Sequence, residues 1–139
     1  MKTINTRFGQ VEYDPDNLLH FPAGMIGFPQ LHKFIVMPNK KEGPLFWIQS
    51  VDDPDVAFVL TDPSNFFLDY IVVPDETERK VLQISDEDEC FILAVVTVPP
   101  DQNITLNLSA PILFTPKTNR AIQVILDDPK YKTKTPLPK

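Results

Sequence analysis

Apolar residues in this chain come in short runs, many with a period of two, and the runs are broken by Pro, Gly and Asp. Ile4, Thr6 and Phe8, then Val11 and Tyr13 beyond Gly9, alternate with Asn5 and Arg7, which predicts a half-exposed edge hairpin with a turn or bulge at Gly9. Runs at 34–37, 45–51, 56–61 and 70–73 read as successive strands of a meander, separated by Pro38, Gly43-Pro44, Asp53-Pro54 and Asp62-Pro63. From 90 to 98 no residue is charged and Thr97 alone is polar, the pattern of a strand covered on both faces at the centre of the core. Ile104, Leu106 and Leu108 alternate with Thr105, Asn107 and Ser109, and Ile122, Val124 and Leu126 alternate with Ala121, Gln123 and Ile125. Each set is expected to pack one face inward.

Composition narrows the architecture. Fifteen prolines in 139 residues is roughly twice the ordinary ~5%, and each removes a backbone donor and disfavours helix in the residue before it. The expected fold is therefore all-β, a small closed or nearly closed β-barrel of short antiparallel strands, with a sandwich as the other solution, since closure removes unpaired edges. One or two short helical turns fit at 63–67 and at 85–88, where Ser85 can cap a turn holding Asp86, Glu87 and Asp88. Residues 1–129 form one domain in this reading, and 130–139, basic and punctuated by Pro136 and Pro138, form a mobile tail.

Charge and cysteine use bear on the class of function. With 13 basic against 19 acidic residues the net charge is -6, so the mean field repels polyanions and favours a basic or amphipathic protein partner over direct nucleic-acid binding. Cys90 is the single cysteine, which excludes an intramolecular disulfide and points to a reducing compartment. No signal-type apolar stretch follows Met1 and nowhere do ~18 apolar residues run together, so the expected location is the cytoplasm, away from membranes.

Residues suited to catalysis do not assemble into a set. His20 and His32 are the only histidines and no cysteine lies at metal-site spacing from them. Cys90 follows four acids and opens an apolar run, a setting that suppresses thiolate chemistry. Asp52 with Asp53 and Asp127 with Asp128 are adjacent pairs that point to opposite faces of a strand or form ordinary turns. The stretch 21–28 carries Gly24 and Gly27, but neither a Lys-Ser/Thr pair nor a helix follows, so it reads as a structural loop. No catalytic residue, metal ligand or cofactor site is assigned.

Residues suited to binding are present. Phe46 and Trp47 are adjacent, so on a strand one faces in and the other out, and Phe66, Phe67 and Tyr70 crowd together beside Asp62 and Asp69. The candidate partner site is an apolar groove contributed by Phe46, Trp47, Phe66, Phe67 and Tyr70, rimmed by Asp53, Asp55 and Asp69. Two other classes compete with this reading. An OB-like nucleic-acid module could use exposed aromatics to stack bases but lacks a basic groove, and a small hydrolase or isomerase with carboxylates at a barrel mouth lacks a convergent set.

Longer strings narrow the choice. The stretches 21–28, 45–54, Ala57-Phe58, Asp62-Pro63, Asp69-Tyr70, 106–112, Arg120 and 123–126 closely resemble, in order, the pattern of the FliW family of flagellar assembly factors. Phe114-Thr115 and Ala121 depart from that pattern, where an Asn and a Gly are expected, and these bear on local turns. The resemblance implies a β-barrel-like fold and a cytoplasmic switch between two partners, flagellin and the translational regulator CsrA, in which sequestering CsrA relieves repression of flagellin mRNA translation. The acidic runs 75–78 and 86–89 allow either RNA mimicry or binding elsewhere on CsrA, and the resemblance favours the second, allosteric route; the free chain is expected to be a monomer.

Overall fold

The computed structural model describes residues 1–6, 9–38, 44–98, 100 and 103–136. Arg7 and Phe8 of the first hairpin, Gly43 of a turn, and Leu137, Pro138 and Lys139 of the expected tail lie outside the described residues. The first hairpin joins β1 (Lys2–Thr6) to β2 (Gly9–Tyr13) as a separate two-stranded sheet, with Ile4 opposite Val11. Gly9 opens β2 at φ +90, a backbone region that glycine enters without steric cost.

The remaining strands form one sheet that closes on itself. β4 (Lys33–Pro38), β5 (Leu45–Ser50), β6 (Ala57–Thr61) and β7 (Phe91–Thr97) are consecutive antiparallel neighbours, as the meander predicts. β7 then pairs with β9 (Ile112–Thr115), β9 with β10 (Arg120–Gln123), β10 with β3 (Leu19–His20) and β3 with β4, closing a barrel of seven strands. Among the described residues only the β3–β10 seam is parallel, through Arg120 opposite His20. Phe34, Ile48, Leu60 and Ile112 point inward and are fully buried, and Phe21 meets Phe34 edge to face at 5.2 Å.

A second apolar layer lies outside the barrel wall. Leu93 and Val95 of β7 face the barrel core, while Ile92, Ala94 and Val96 face a cluster with Tyr70, Leu106 and Leu108. The central strand of the sequence is thus covered on both faces over its middle residues, and it borders three strands because β8 (Thr105–Leu106) continues the β9 edge. Beyond β8 lies β11 (Thr135–Pro136), with the N–H of Leu108 donating to the carbonyl of Lys132 at 3.1 Å. The segment expected as a mobile tail is therefore placed against β8 through residue 136, and Tyr131 packs on Tyr70 at 4.9 Å.

Three local expectations differ from the structure, the first in β10, where Ala121 and not Ile122 is fully buried in the barrel core. The run 70–73 forms no strand, although it passes from Tyr70 to Pro74 without turn or bend and its burial alternates. Propensity sets its extended form, and a ladder needs a neighbour that the described residues do not supply. The expected turn at Ser85 exists as a non-helical turn, with Asp88 accepting from the N–H and hydroxyl of Ser85 at 2.8 and 3.1 Å. The helix instead lies earlier, as α1 (Glu76–Leu82) with Asp75 as its N-cap. The other expected turn is the single 3-10 turn Pro63–Asn65.

Candidate functional site

The segment from Asp62 to Pro74 connects β6 to α1 and carries most of the aromatic candidates. Its start is fixed by Asp62, whose carboxylate accepts from the Ser64 N–H at 2.9 Å and the Ser64 hydroxyl at 2.7 Å, with Pro63 preset for the first turn. The N–H groups of Phe66 and Phe67 both donate to the Pro63 carbonyl, and Tyr70 N–H donates to Phe67 carbonyl. This winding turns Phe66, Phe67 and Tyr70 toward the second apolar layer and leaves Leu68 and Asp69 exposed, Leu68 by 91%.

Tyr70 anchors the segment. Its hydroxyl donates to the Leu108 carbonyl at 2.6 Å, its ring meets Tyr131 edge-on, and burial pushes the phenol far above its ordinary pKa. The buried ring cannot itself meet a partner, so its role is to hold the residues that follow. Ile71 and Val73 are each 74% exposed, while Val72 packs against the second layer. Together with Leu126, Asp127, Asp128, Pro129 and Tyr131 they line an open groove of about 630 Å³.

The other candidates sit elsewhere. Phe46 faces the barrel interior near one mouth, where it lines an apolar hollow of about 270 Å³ with Leu19, Val36, Phe91, Leu93, Phe114 and Asp62. Trp47, next on β5, is half-buried on the outer face opposite Val59. Asp53 and Asp55 occupy the β5–β6 turn at the other end of β5. Gln49 holds that turn, its side-chain amide donating to the carbonyls of Ser50, Pro54 and Val56 at 3.0–3.1 Å. Phe66, Phe67, Asp69 and Tyr70 are thus brought together, whereas Phe46 and the Asp53–Asp55 turn stand apart from them and from each other. Sequence reasoning missed Leu68, Ile71, Val73 and the acidic rim of Asp127 and Asp128. Alternation at 71–73 was legible, but its lack of a neighbour was not.

The groups considered for catalysis have structural surroundings. Burial, followed by the nearby Arg120 charge, holds His20 below its ordinary pKa. Burial, reinforced by Glu78, pushes the Cys90 thiol up and keeps it protonated. Asp52 accepts from the backbone N–H groups of His32 and Lys33 at 2.9 and 3.1 Å and so pins the start of β4. Among the described residues no three His, Cys, Asp or Glu side chains are grouped to hold a metal ion, and no helix is long and apolar enough to cross a membrane.

Comparison with known proteins identifies the barrel. The family model described as FliW protein matches residues 2–137. Flagellar assembly factor FliW 2 of Desulfotalea psychrophila is 69% identical over 138 residues, covering 99% of this chain and 91% of that protein. Flagellar assembly factor FliW of Syntrophotalea carbinolica is 66% identical over 137 residues, covering 99% and 98%. A crystal structure of the flagellar assembly factor FliW superposes with a TM-score of 0.88 at 30% identity, covering 99% of both chains. The seven-stranded barrel and these similarities over nearly the whole length lead to one conclusion: the chain belongs to the FliW family.

Proposed function

We propose that this chain is a cytoplasmic, non-enzymatic flagellar assembly factor that binds flagellin and, when free of it, binds CsrA. Holding CsrA relieves its repression of flagellin mRNA translation and ties flagellin synthesis to flagellin use. The observation that carries this reading is membership of the FliW family across residues 2–137. Physical chemistry supports it in two ways. A surface with a net charge of -6 disfavours direct RNA binding, and the 62–74 segment exposes Leu68, Asp69, Ile71 and Val73, a mixture of apolar and acidic groups suited to a basic, amphipathic protein. Antagonism then proceeds by binding CsrA away from its RNA site, and the free chain is a monomer.

Phe66, Phe67, Asp69 and Tyr70 form the main part of the proposed partner site, Asp69 as the exposed charge, Phe66 and Phe67 as apolar support, and the buried Tyr70 as the anchor beneath them rather than a contact. Phe46, Trp47, Asp53 and Asp55 belong to it as outlying contacts. The test is calorimetric titration with CsrA from the same genome, followed by addition of flagellin to the complex. Saturable CsrA binding that flagellin reverses is expected, and Asp69→Ala should weaken it by more than about 1 kcal/mol without lowering the unfolding midpoint. Absence of binding to both proteins by a folded sample removes the proposal.

A further inference from the structure

We infer that Ile71–Val73 is an unfilled strand edge that receives an extended segment of a partner protein by β-strand addition, a segment with apolar residues at alternate positions and Lys or Arg between them. The inference deepens the protein-binding reading above and rests on it. Three residues of β-prone sequence run straight between two fixed points. Tyr70 is tied by its hydroxyl to Leu108, and Pro74 offers its carbonyl to Arg79 at 2.6 Å. Between these points, among the described residues, the N–H and C=O groups of Ile71, Val72 and Val73 make no hydrogen bond.

A straight segment with side chains alternating out and in, and with free backbone groups, is an open ladder position. In a strand the N–H and C=O of Ile71 and Val73 point to the same edge, so an added strand can bond to both residues while Val72 stays packed against the second layer. Its apolar residues can lie beside the exposed side chains of Ile71 and Val73, or over Leu126 and Tyr131 on the groove floor.

Charge selects the occupant. Asp127 and Asp128 line the groove, both are exposed, and neither forms an ion pair among the described residues. Asp75 and Glu76 follow directly on Pro74 and are exposed as well. Among the described residues, nearby cations include Lys130, held 5.2 Å over the Tyr131 ring, and Arg79, which reaches the Pro74 carbonyl and is already paired with Asp86 at 2.8 Å. An extended segment carrying Lys or Arg between its apolar residues meets these carboxylates, whereas an acidic segment, such as much of a second copy of this chain, is repelled.

The probe is a capped synthetic peptide of alternating Lys and Val, titrated into the isotopically labelled full chain. Controls are a peptide of the same composition with its Lys and Val in separate blocks, and the alternating peptide N-methylated at every backbone nitrogen, so that neither of its edges can pair. Strand addition predicts that the alternating peptide slows hydrogen exchange at the Ile71 and Val73 amides by roughly tenfold or more at saturation. Both controls should bind at least about fivefold more weakly, because they lose the ladder or the alternation. Ile71→Lys, at an exposed side chain, should weaken the peptide by a similar factor, and Val73→Pro should do so by deleting a donor. Unprotected amides at saturation, equal affinity of the N-methylated peptide, or no binding at millimolar peptide each overturn strand addition. The outcome is independent of the CsrA and flagellin titration. A chain that binds those proteins but leaves these amides unprotected refutes the strand edge alone, and failure with both proteins removes the functional reading whatever the peptide does.

Discussion

Tyr70 shows how a residue that reads as an interface anchor can serve from beneath. Its ring is buried, and its hydroxyl completes the Leu108 carbonyl at 2.6 Å, in a place where water does not compete. Tyr70→Phe should therefore cost about 1–2 kcal/mol in urea unfolding near neutral pH, the usual cost of leaving a buried acceptor unpaired. The pH dependence has a definite sign. Burial raises the folded phenol, so above about pH 10, where tyrosines of the unfolded chain ionise, the folded state still binds a proton that the unfolded state has lost. The Tyr70 contribution is whole below that pH and declines as the pH climbs beyond it. The stability gap between wild type and Tyr70→Phe should accordingly shrink between pH 8 and pH 11, and a gap that stays constant would show that the phenol titrates normally. An aromatic residue in a β-prone run was visible in the sequence. Which way it points was not, because among the described residues 70–73 has no ladder partner from which the inner face could be deduced.

At the scale of elements, short β-prone runs between turn residues located β4, β5 and β6 and a continuous apolar run located β7, but they carried no sign of strand direction. The parallel meeting of β3 and β10 rests on two residues, Leu19 and His20, too few to show any period. α1 was missed although its signature is present. Asp75 accepts from the Glu78 N–H at 2.7 Å and Glu78 returns a carboxylate to the Asp75 N–H at 2.8 Å, a complete capping box. Seven residues gave too little periodic pattern to stand out beside the acidic run at 86–89. The helix closes on Gln83, an exposed residue at φ 60 and ψ 46, a left-handed conformation costing an L-residue about 1 kcal/mol or more. Gln83→Gly should recover about 0.5–1 kcal/mol, less the extra freedom glycine gives the unfolded chain, and Asp75→Ala should lose about 1 kcal/mol. Denaturant midpoints of the two variants should move in opposite directions, and movement in the same direction would mean that the ends of α1 are not limiting.

For the whole molecule, closure was legible because many short strands without a covering helix must remove their edges, and the uncharged run at 90–98 correctly marked the strand shared by both apolar layers. The assembly of the candidate site was less so. Phe46 and Asp53 are near in sequence, yet β5 carries the chain from one end of the barrel to the other between them, roughly 13 Å at the ordinary rise of a strand. Asp127 and Asp128, by contrast, come from a distant part of the chain to line the groove beside Ile71 and Val73. Such a rim on a molecule with a net charge of -6 should act mainly on encounter, steering a basic partner before contact. The double variant Asp127→Asn, Asp128→Asn separates this effect from packing. Asparagine keeps an acceptor oxygen for the Lys130 N–H that Asp128 now binds at 3.0 Å, so the turn is retained while two charges are removed. In stopped-flow mixing with CsrA, the RNA-binding partner proposed above, near 50 mM salt, association should slow by about two- to fivefold while dissociation changes little. Near 500 mM salt, where the Debye length falls to roughly 4 Å, the two proteins should associate at the same rate. Equal rates at low salt would place the steering charges elsewhere on the barrel, and a faster dissociation that persists in high salt would mean that these carboxylates touch the partner directly.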